Sequence, residues 1–229
     1  MTRIFPQFRA VADLAVLVEF GDSIGDAAHD QVTSLDAKLT QTPFPGFTEA
    51  VPAFVSLLVY FDAAQTSPAQ VELALKSLLA TPAIPPPKGK PRQVDICFDP
   101  EFCPDLEDVS RQAHLSPDAV VAAHLAATYR VVMYGFAPGY AYLGGVPPAL
   151  HLPRKASAKR GVAAGSVIIA GGQCLITTLT MPTGWWIIGR SPTRVLLDDP
   201  GRPFLFDVGD TITFNRIDRA KFDAKVARR

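Results

Sequence analysis

With 229 residues, 48% hydrophobic and 19% charged, the chain has the composition of a folded globular protein long enough for two small cores. Its 22 Lys and Arg balance 22 Asp and Glu, so overall charge points neither to nucleic acid nor to an anionic membrane surface. Apolar runs fall short of the ~20 residues that a membrane span needs, no basic-then-apolar leader is visible, and the odd trio Cys97, Cys103 and Cys174 makes no disulfide framework. A cytoplasmic protein is expected. The cysteines lack zinc-knuckle spacing and paired histidines, so no metal site is expected either.

The first third alternates strand and helix patterns. Leu14–Phe20 reads as a strand ending at Gly21-Asp22. Ala28, Val32, Leu35 and Leu39 recur at helical spacing, predicting an amphipathic helix over 26–40 that stops at Pro43–Gly46. Strands over 47–51 and 54–61 follow, separated by Pro52. A second helix is signposted by Ser67 as N-cap, Pro68 in the first turn and Gln70 completing a capping box, with Val71, Leu75, Leu78 and Leu79 as its apolar face. The β-α-β-β-α order matches a ferredoxin-like split unit, with Val94–Phe98 a sixth element. Residues 81–92, Thr-Pro-Ala-Ile-Pro-Pro-Pro-Lys-Gly-Lys-Pro-Arg, are stiff and extended. They divide the chain into an N-terminal α/β domain over 1–81, a linker over 82–92 and a second domain over 93–229.

The second domain opens with two short helices, Leu106–Ala113 capped by Asp105, and a second beginning at Ser116-Pro117-Asp118, running to about Thr128 and carrying His124. Short glycine-punctuated strands then follow over 129–134, 166–170, 174–179, 185–189, 193–197 and 211–217, the pattern of an antiparallel barrel or sandwich. The interleaved charges Asp218, Lys221, Asp223, Lys225, Arg228 and Arg229 read as a solvated tail.

The run Gly135-Phe136-Ala137-Pro138-Gly139-Tyr140-Ala141-Tyr142-Leu143-Gly144-Gly145 stands out because it is apolar, aromatic and stiffened by proline where connecting loops are ordinarily polar. It suits either the floor of a pocket or a buried barrel corner, and Phe136, Pro138, Gly139, Tyr142 and Gly144 are its candidate substrate-binding residues. Arg154, Lys155, Lys159, Arg160 and Arg190 bring cations to rigid loops, where a guanidinium fork can hold a carboxylate or phosphate. Arg154 and Arg190 are carried as catalytic candidates and Lys159 as a substrate-binding one. His124, on a largely apolar helix, is either a packing histidine or a general base. Gln173, after Gly171-Gly172, can both donate to and accept from an amide-bearing substrate. Trp185, beside Gly184, fits an aromatic pocket wall or the barrel core. P-loop, nucleophile-elbow, dinucleotide and zinc-protease motifs are all missing from the sequence.

These segments together resemble one family, which comprises the B-type 5-oxoprolinase subunits, the first subunit of allophanate hydrolase and the Kip-type histidine-kinase inhibitors. The residues that carry the resemblance include Val18-Glu19-Phe20-Gly21-Asp22, Val51-Pro52-Ala53-Phe54, Pro104-Asp105-Leu106-Glu107 and His124. The Gly135–Gly145 run, Pro153-Arg154, Ala164-Gly165-Ser166-Val167, Ala170-Gly171-Gly172-Gln173, Gly184-Trp185, Gly189-Arg190-Ser191-Pro192 and Gly209-Asp210 complete the set. The resemblance implies an α+β chain, a ferredoxin-like N-terminal domain followed by a cyclophilin-like β-barrel. It further implies a C-type partner subunit, a third subunit in the 5-oxoprolinase form, and ATP-driven opening of 5-oxo-L-proline to L-glutamate. An allophanate-directed hydrolase subunit and a kinase inhibitor are the alternatives it leaves open. The chain departs from the family pattern at Cys174-Leu175-Ile176-Thr177-Thr178, at Ala158-Lys159 and at Ala163. At Lys159 a lysine keeps the charge of the family's arginine without its bidentate fork.

Overall fold

A computed structural model of the chain describes residues 3–85 and 89–228. Pro86, Pro87 and Lys88 of the expected linker and Arg229 of the expected tail lie outside the described residues. The chain divides into two compact units, Met1–Pro87 and Lys88–Arg229.

The first unit contains β1 (Gln7–Val11), β2 (Ala15–Glu19), α1 (Asp26–Gln41), β3 (Phe47–Pro52), β4 (Ser56–Phe61) and α2 (Pro68–Ala80). Its antiparallel sheet runs in the order β1-β2-β4-β3. Period-2 alternation sends Val16, Val18, Leu57 and Val59 to one face, where they meet Val32, Leu35 and Leu39 of α1 and Val71 and Leu75 of α2. The Ser67–Gln70 capping box forms at the start of α2 with Pro68 in the first turn. At the other end of α2, the nearly buried Lys38 donates from Nζ to the carbonyls of Leu78 and Thr81, both at 2.9 Å, placing a cation on the helix's negative end. The ferredoxin-like β-α-β-β-α core is thus present, and its fourth edge position is taken by β1, joined to β2 as a hairpin. The segment expected as a sixth element instead enters the second unit.

That segment is β5 (Pro91–Cys97), followed by α3 (Leu106–Ala113), α4 (Pro117–Ala126), β6 (Tyr129–Tyr134), β7 (Ala141–Gly144), β8 (Lys159–Val162), β9 (Ser166–Ala170), β10 (Gln173–Ile176), β11 (Met181–Thr183), β12 (Trp186–Arg190), β13 (Thr211–Ile217) and α5 (Arg219–Val226). Seven strands close a barrel in the order β10-β7-β6-β13-β5-β12-β9, while β11 and β8 form a separate two-stranded ribbon. β5 and β13 pair in parallel; the other barrel pairs are antiparallel. Inward residues such as Val94, Ile96, Val131, Leu143, Val167, Ile169, Cys174 and Ile188 fill the interior, together with Val109 of α3 and Val120 and Val121 of α4.

Local chemistry explains where the strand and helix expectations miss. Residues 193–197 make only an isolated bridge, Leu196 to Phe204, because Pro192, Pro200 and Pro203 break up the donors that a ladder would need. The expected charged tail is the helix α5: Asp218 caps it by accepting from the Lys221 N–H at 2.8 Å, and Phe222 is buried against Phe102 with ring centroids 4.6 Å apart. Asp105 precedes α3 but makes no side-chain cap. Its Oδ2 accepts instead from Lys155 Nζ at 2.6 Å and from the Ile187 N–H at 2.8 Å. Gly145 has φ +106°, and a Cβ there would stand 2.7 Å from the Thr128 carbonyl, so only glycine lets β7 leave so close to the start of β6.

Candidate functional site

Residues that alternate outward from the barrel are also apolar, and this exposes a second layer of chemistry. By the ladder register Leu175 on β10 lies opposite Ile168 on β9, and Ile168 opposite Ile187 on β12, with Tyr142 of β7 packed against the same cluster. The β8–β11 ribbon and the 135–140 loop cover part of this outer face, packing Val162, Met181, Ala137 and Tyr140 on it. Between them remains an open recess of ≈130 Å³.

Ile168 and Leu175 form its floor, Tyr140, Tyr142 and Trp185 its walls, and Phe136 and Arg154 its mouth, with Pro182, Thr183 and Gly184 along one rim. Tyr142 and Trp185 meet edge to face at 5.9 Å and 70°. The Arg154 guanidinium carbon stands 5.6 Å from the centroid of Trp185, a cation–π arrangement that holds the fork at the mouth. Among the described residues no carboxylate pairs with Arg154, whereas Lys155, Arg194 and Arg219 all have acidic partners. Burial raises the Tyr142 phenol above its usual range and the neighbouring Arg154 partly offsets that, so at neutral pH Tyr142 presents an O–H donor. Tyr140 donates to Met181 Sδ at 3.3 Å. Phe136 is 77% exposed and sits at φ +68°, a backbone conformation that costs a bulky residue about 1–3 kcal/mol and concentrates at functional positions.

The recess therefore gathers four of the sequence candidates: Phe136, Tyr142, Arg154 and Trp185. Gly144 and Gln173, Cα partners across β7 and β10, lie two residues along the same outward face. Lys159 opens β8 and pairs with Thr183 of the rim, its side chain exposed. Pro138 and Gly139 shape the loop from behind: the Pro138 carbonyl accepts from Thr178 Oγ1 at 2.6 Å, and Gly139 adopts φ +74° against Thr178 and Leu196.

Two of the catalytic candidates lie elsewhere. Arg190 donates from Nε to the Ala164 carbonyl and lies over the Phe102 and Phe222 rings at 5.3 and 5.9 Å, bracing α5 rather than facing the recess. His124 is completely buried in the barrel core, 4.6 Å from the Phe214 ring and 2.6 Å through Nδ1 from the Tyr129 hydroxyl, beyond the reach of any substrate. Burial depresses its imidazole from the ordinary 6.5 to about 3. A folded-state value below the unfolded one stabilises the protein above the unfolded pKa and is lost as pH falls toward the folded one. Urea unfolding should therefore show His124 removing about 1.4 kcal/mol of stability per pH unit between pH 6.5 and about 3, with that component abolished in His124→Leu. Of the recess residues that sequence reading passed over, Ile168 and Leu175 become visible only once the inward and outward faces of β9 and β10 are known, and Pro182 and Thr183 only once β11 is placed in the ribbon beside them. Among the described residues no group of three His, Cys, Asp or Glu side chains is arranged to hold a metal, and no helix is long and apolar enough to cross a membrane.

Comparison with known proteins places this geometry in context. The family model for the carboxyltransferase domain, subdomain C and D, matches residues 6–206. The 5-oxoprolinase B-type subunit of Bacillus subtilis (strain 168) is 34% identical over 232 residues, covering 95% of either chain. Among solved structures, TTHA0988 superposes with a TM-score of 0.77 at 32% identity over 89% of this chain, which spans 40% of that larger chain. The K. lactis urea amidolyase shares the fold, with a TM-score of 0.78 at 17% identity over 95% of this chain and 15% of its own.

Proposed function

The chain belongs to the carboxyltransferase domain, subdomain C and D, family, and on that premise we propose that it is the B-type subunit of a 5-oxoprolinase complex. It acts with a C-type partner subunit, and with a third subunit, to open 5-oxo-L-proline to L-glutamate. The observation that carries this reading is the Arg154 fork, without an acidic partner among the described residues, standing over Trp185 at the mouth of a ring-sized recess. A cavity of ~150 Å³ takes a benzene-sized ring, so ≈130 Å³ suits a five-membered lactam. Arg154 receives the substrate carboxylate through two parallel N–H···O bonds. Trp185 and Tyr142 flank the ring, and the Tyr142 O–H donates to the lactam oxygen, a role supported by Tyr142 lining the recess. The apolar floor of Ile168 and Leu175 excludes water beneath the ring.

In the complex, ATP would transfer its γ-phosphoryl group to the lactam oxygen and leave as ADP; water adding to the activated carbonyl carbon would then break the ring C–N bond and release phosphate, giving glutamate. At ≈130 Å³ the recess is smaller than the ~300–1,000 Å³ usual for drug-sized ligands, so ATP is assigned to the assembled complex. Because the recess stands open to solvent on one side, a companion chain closes it, and the isolated chain is expected to be inactive.

The reading is tested by co-expressing the chain with its C-type partner and the third subunit and measuring ATP-dependent release of glutamate, with allophanate supplied in parallel. Turnover of 5-oxo-L-proline by the complex and none by the chain alone is the expected result. Lactam hydrolysis by the chain alone would overturn the need for a partner; turnover of allophanate but not the lactam would overturn the substrate assignment.

A further inference from the structure

The segment that carries Arg154 has no regular secondary structure, yet it is tied down on both sides of that residue. On one side, the Pro153 carbonyl accepts from Trp186 Nε1 at 2.7 Å. On the other, the Lys155 N–H donates to the Gly184 carbonyl at 2.7 Å. The Lys155 side chain, 14% exposed, then runs over the Trp186 ring, with Nζ 5.6 Å from its centroid, to Asp105 Oδ2 at 2.6 Å. Asp105 is itself docked on β12: its N–H donates to the Ile187 carbonyl at 3.2 Å and its Oδ2 accepts the Ile187 N–H. Between these anchors Arg154 lies over the Trp185 ring, while its neighbour Lys155 is held over Trp186.

The pair also separates the charges. Asp105 neutralises Lys155 from 2.6 Å, while Arg154 has no acidic partner among the described residues. An ion pair this well shielded is weak evidence of stability for its own sake, because desolvation offsets much of the attraction, but it fixes geometry well.

We infer that Asp105 and Lys155 are positioning residues, a buried clamp that aims the Arg154 guanidinium into the recess. The inference rests on the proposed function for its ligand, a small carboxylate-bearing lactam, but its geometric content stands without one.

The test uses the double variant Asp105→Asn/Lys155→Met. It removes both charges together, so no unpaired ion is left buried, and the Asn oxygen still accepts from Ile187. Two readouts are taken on the full chain bound to its C-type partner. The first, independent of any substrate, is the NOE between the Arg154 Hδ protons and the Trp185 indole. It should fall severalfold in the double variant while circular dichroism and the melting temperature stay close to wild type. The second is 5-oxo-L-proline binding by calorimetry. Wild type should bind, the double variant roughly tenfold more weakly, and the double variant combined with Arg154→Ala no more weakly than Arg154→Ala alone, the non-additivity expected of residues that act through one another. Lys155→Arg, which keeps a cationic donor for Asp105, should restore most of both signals. An unchanged NOE, or losses that simply add, would overturn the clamp. Absence of lactam binding by wild type would count against the proposed function alone, leaving the NOE to judge the clamp. Should the double variant fail to fold, Lys155→Arg and Lys155→Gln are compared by the same two readouts, and a Lys155→Gln NOE equal to wild type would likewise overturn it.

Discussion

Arg154→Ala is expected to weaken 5-oxo-L-proline binding by the assembled complex roughly 10- to 100-fold, the loss of a bidentate, charge-assisted pair. The fold should be untouched, because Arg154 is exposed and, among the described residues, makes no ion pair. Arg154→Lys should recover only part of the loss: it keeps the charge but neither the fork nor the planar stacking on Trp185. Calorimetry of the three proteins, with urea melts as the control, distinguishes this outcome from general destabilisation. Equal affinity in all three would take the carboxylate away from Arg154.

The largest effect on stability is expected from Asp210→Ala. Asp210 is 1% exposed and accepts three hydrogen bonds: from the Lys90 N–H at 2.6 Å, Arg92 Nε at 2.9 Å and the Asp207 N–H at 3.1 Å. The surrounding donors hold its carboxyl below the usual range in spite of its burial. Two of these bonds tie the start of β5, at Lys90 and Arg92, to the residue just before β13, its partner in a parallel pair that a hairpin cannot create. Removing the carboxylate takes away the hydrogen bond to Arg92 Nε, leaving that guanidinium a 3.8 Å ion pair with the exposed Asp207, and leaves two backbone donors unsatisfied. A cost of about 3–5 kcal/mol follows, read from the midpoint of urea unfolding. Because the carboxyl is depressed in the folded state, its contribution is present above the unfolded value near 3.9 and is lost as pH falls through the folded one. A cost below about 1 kcal/mol would show that the strands hold their register without it.

Much of the architecture was legible because local chemistry and tertiary packing agree. Ser67, Pro68 and Gln70 announce α2 and form the cap they imply, and the alternating strands around 129–134, 166–170 and 211–217 appear where expected. Where several forces compete, single residues mislead. The glycines and prolines of 135–145 suggest one continuous loop, yet 141–144 is a strand, because Tyr142 and Leu143 alternate between the two faces of the barrel wall. Asp105 has the position of an N-cap, but Lys155 and Ile187 claim its carboxylate from far along the chain.

The candidate site was legible by residue type and not by arrangement. Arg154, Tyr142 and Trp185 were identified from charge and aromaticity, and the fold brings them together. His124 and Arg190 have the same chemical credentials, but one serves the core and the other an aromatic brace. What separates the two groups is tertiary placement: α4 buries His124 in the barrel core, and the end of β12 sends Arg190 to the Phe102 and Phe222 rings, neither of which a local pattern encodes.

The recess on the barrel's outer wall is tested most directly by a crystal structure of the chain with its partner and 5-oxo-L-proline. Density for the ring between Tyr142 and Trp185, with its carboxylate on the Arg154 fork, is the predicted result. A lactam bound elsewhere in the complex, with this recess filled by solvent, would contradict it.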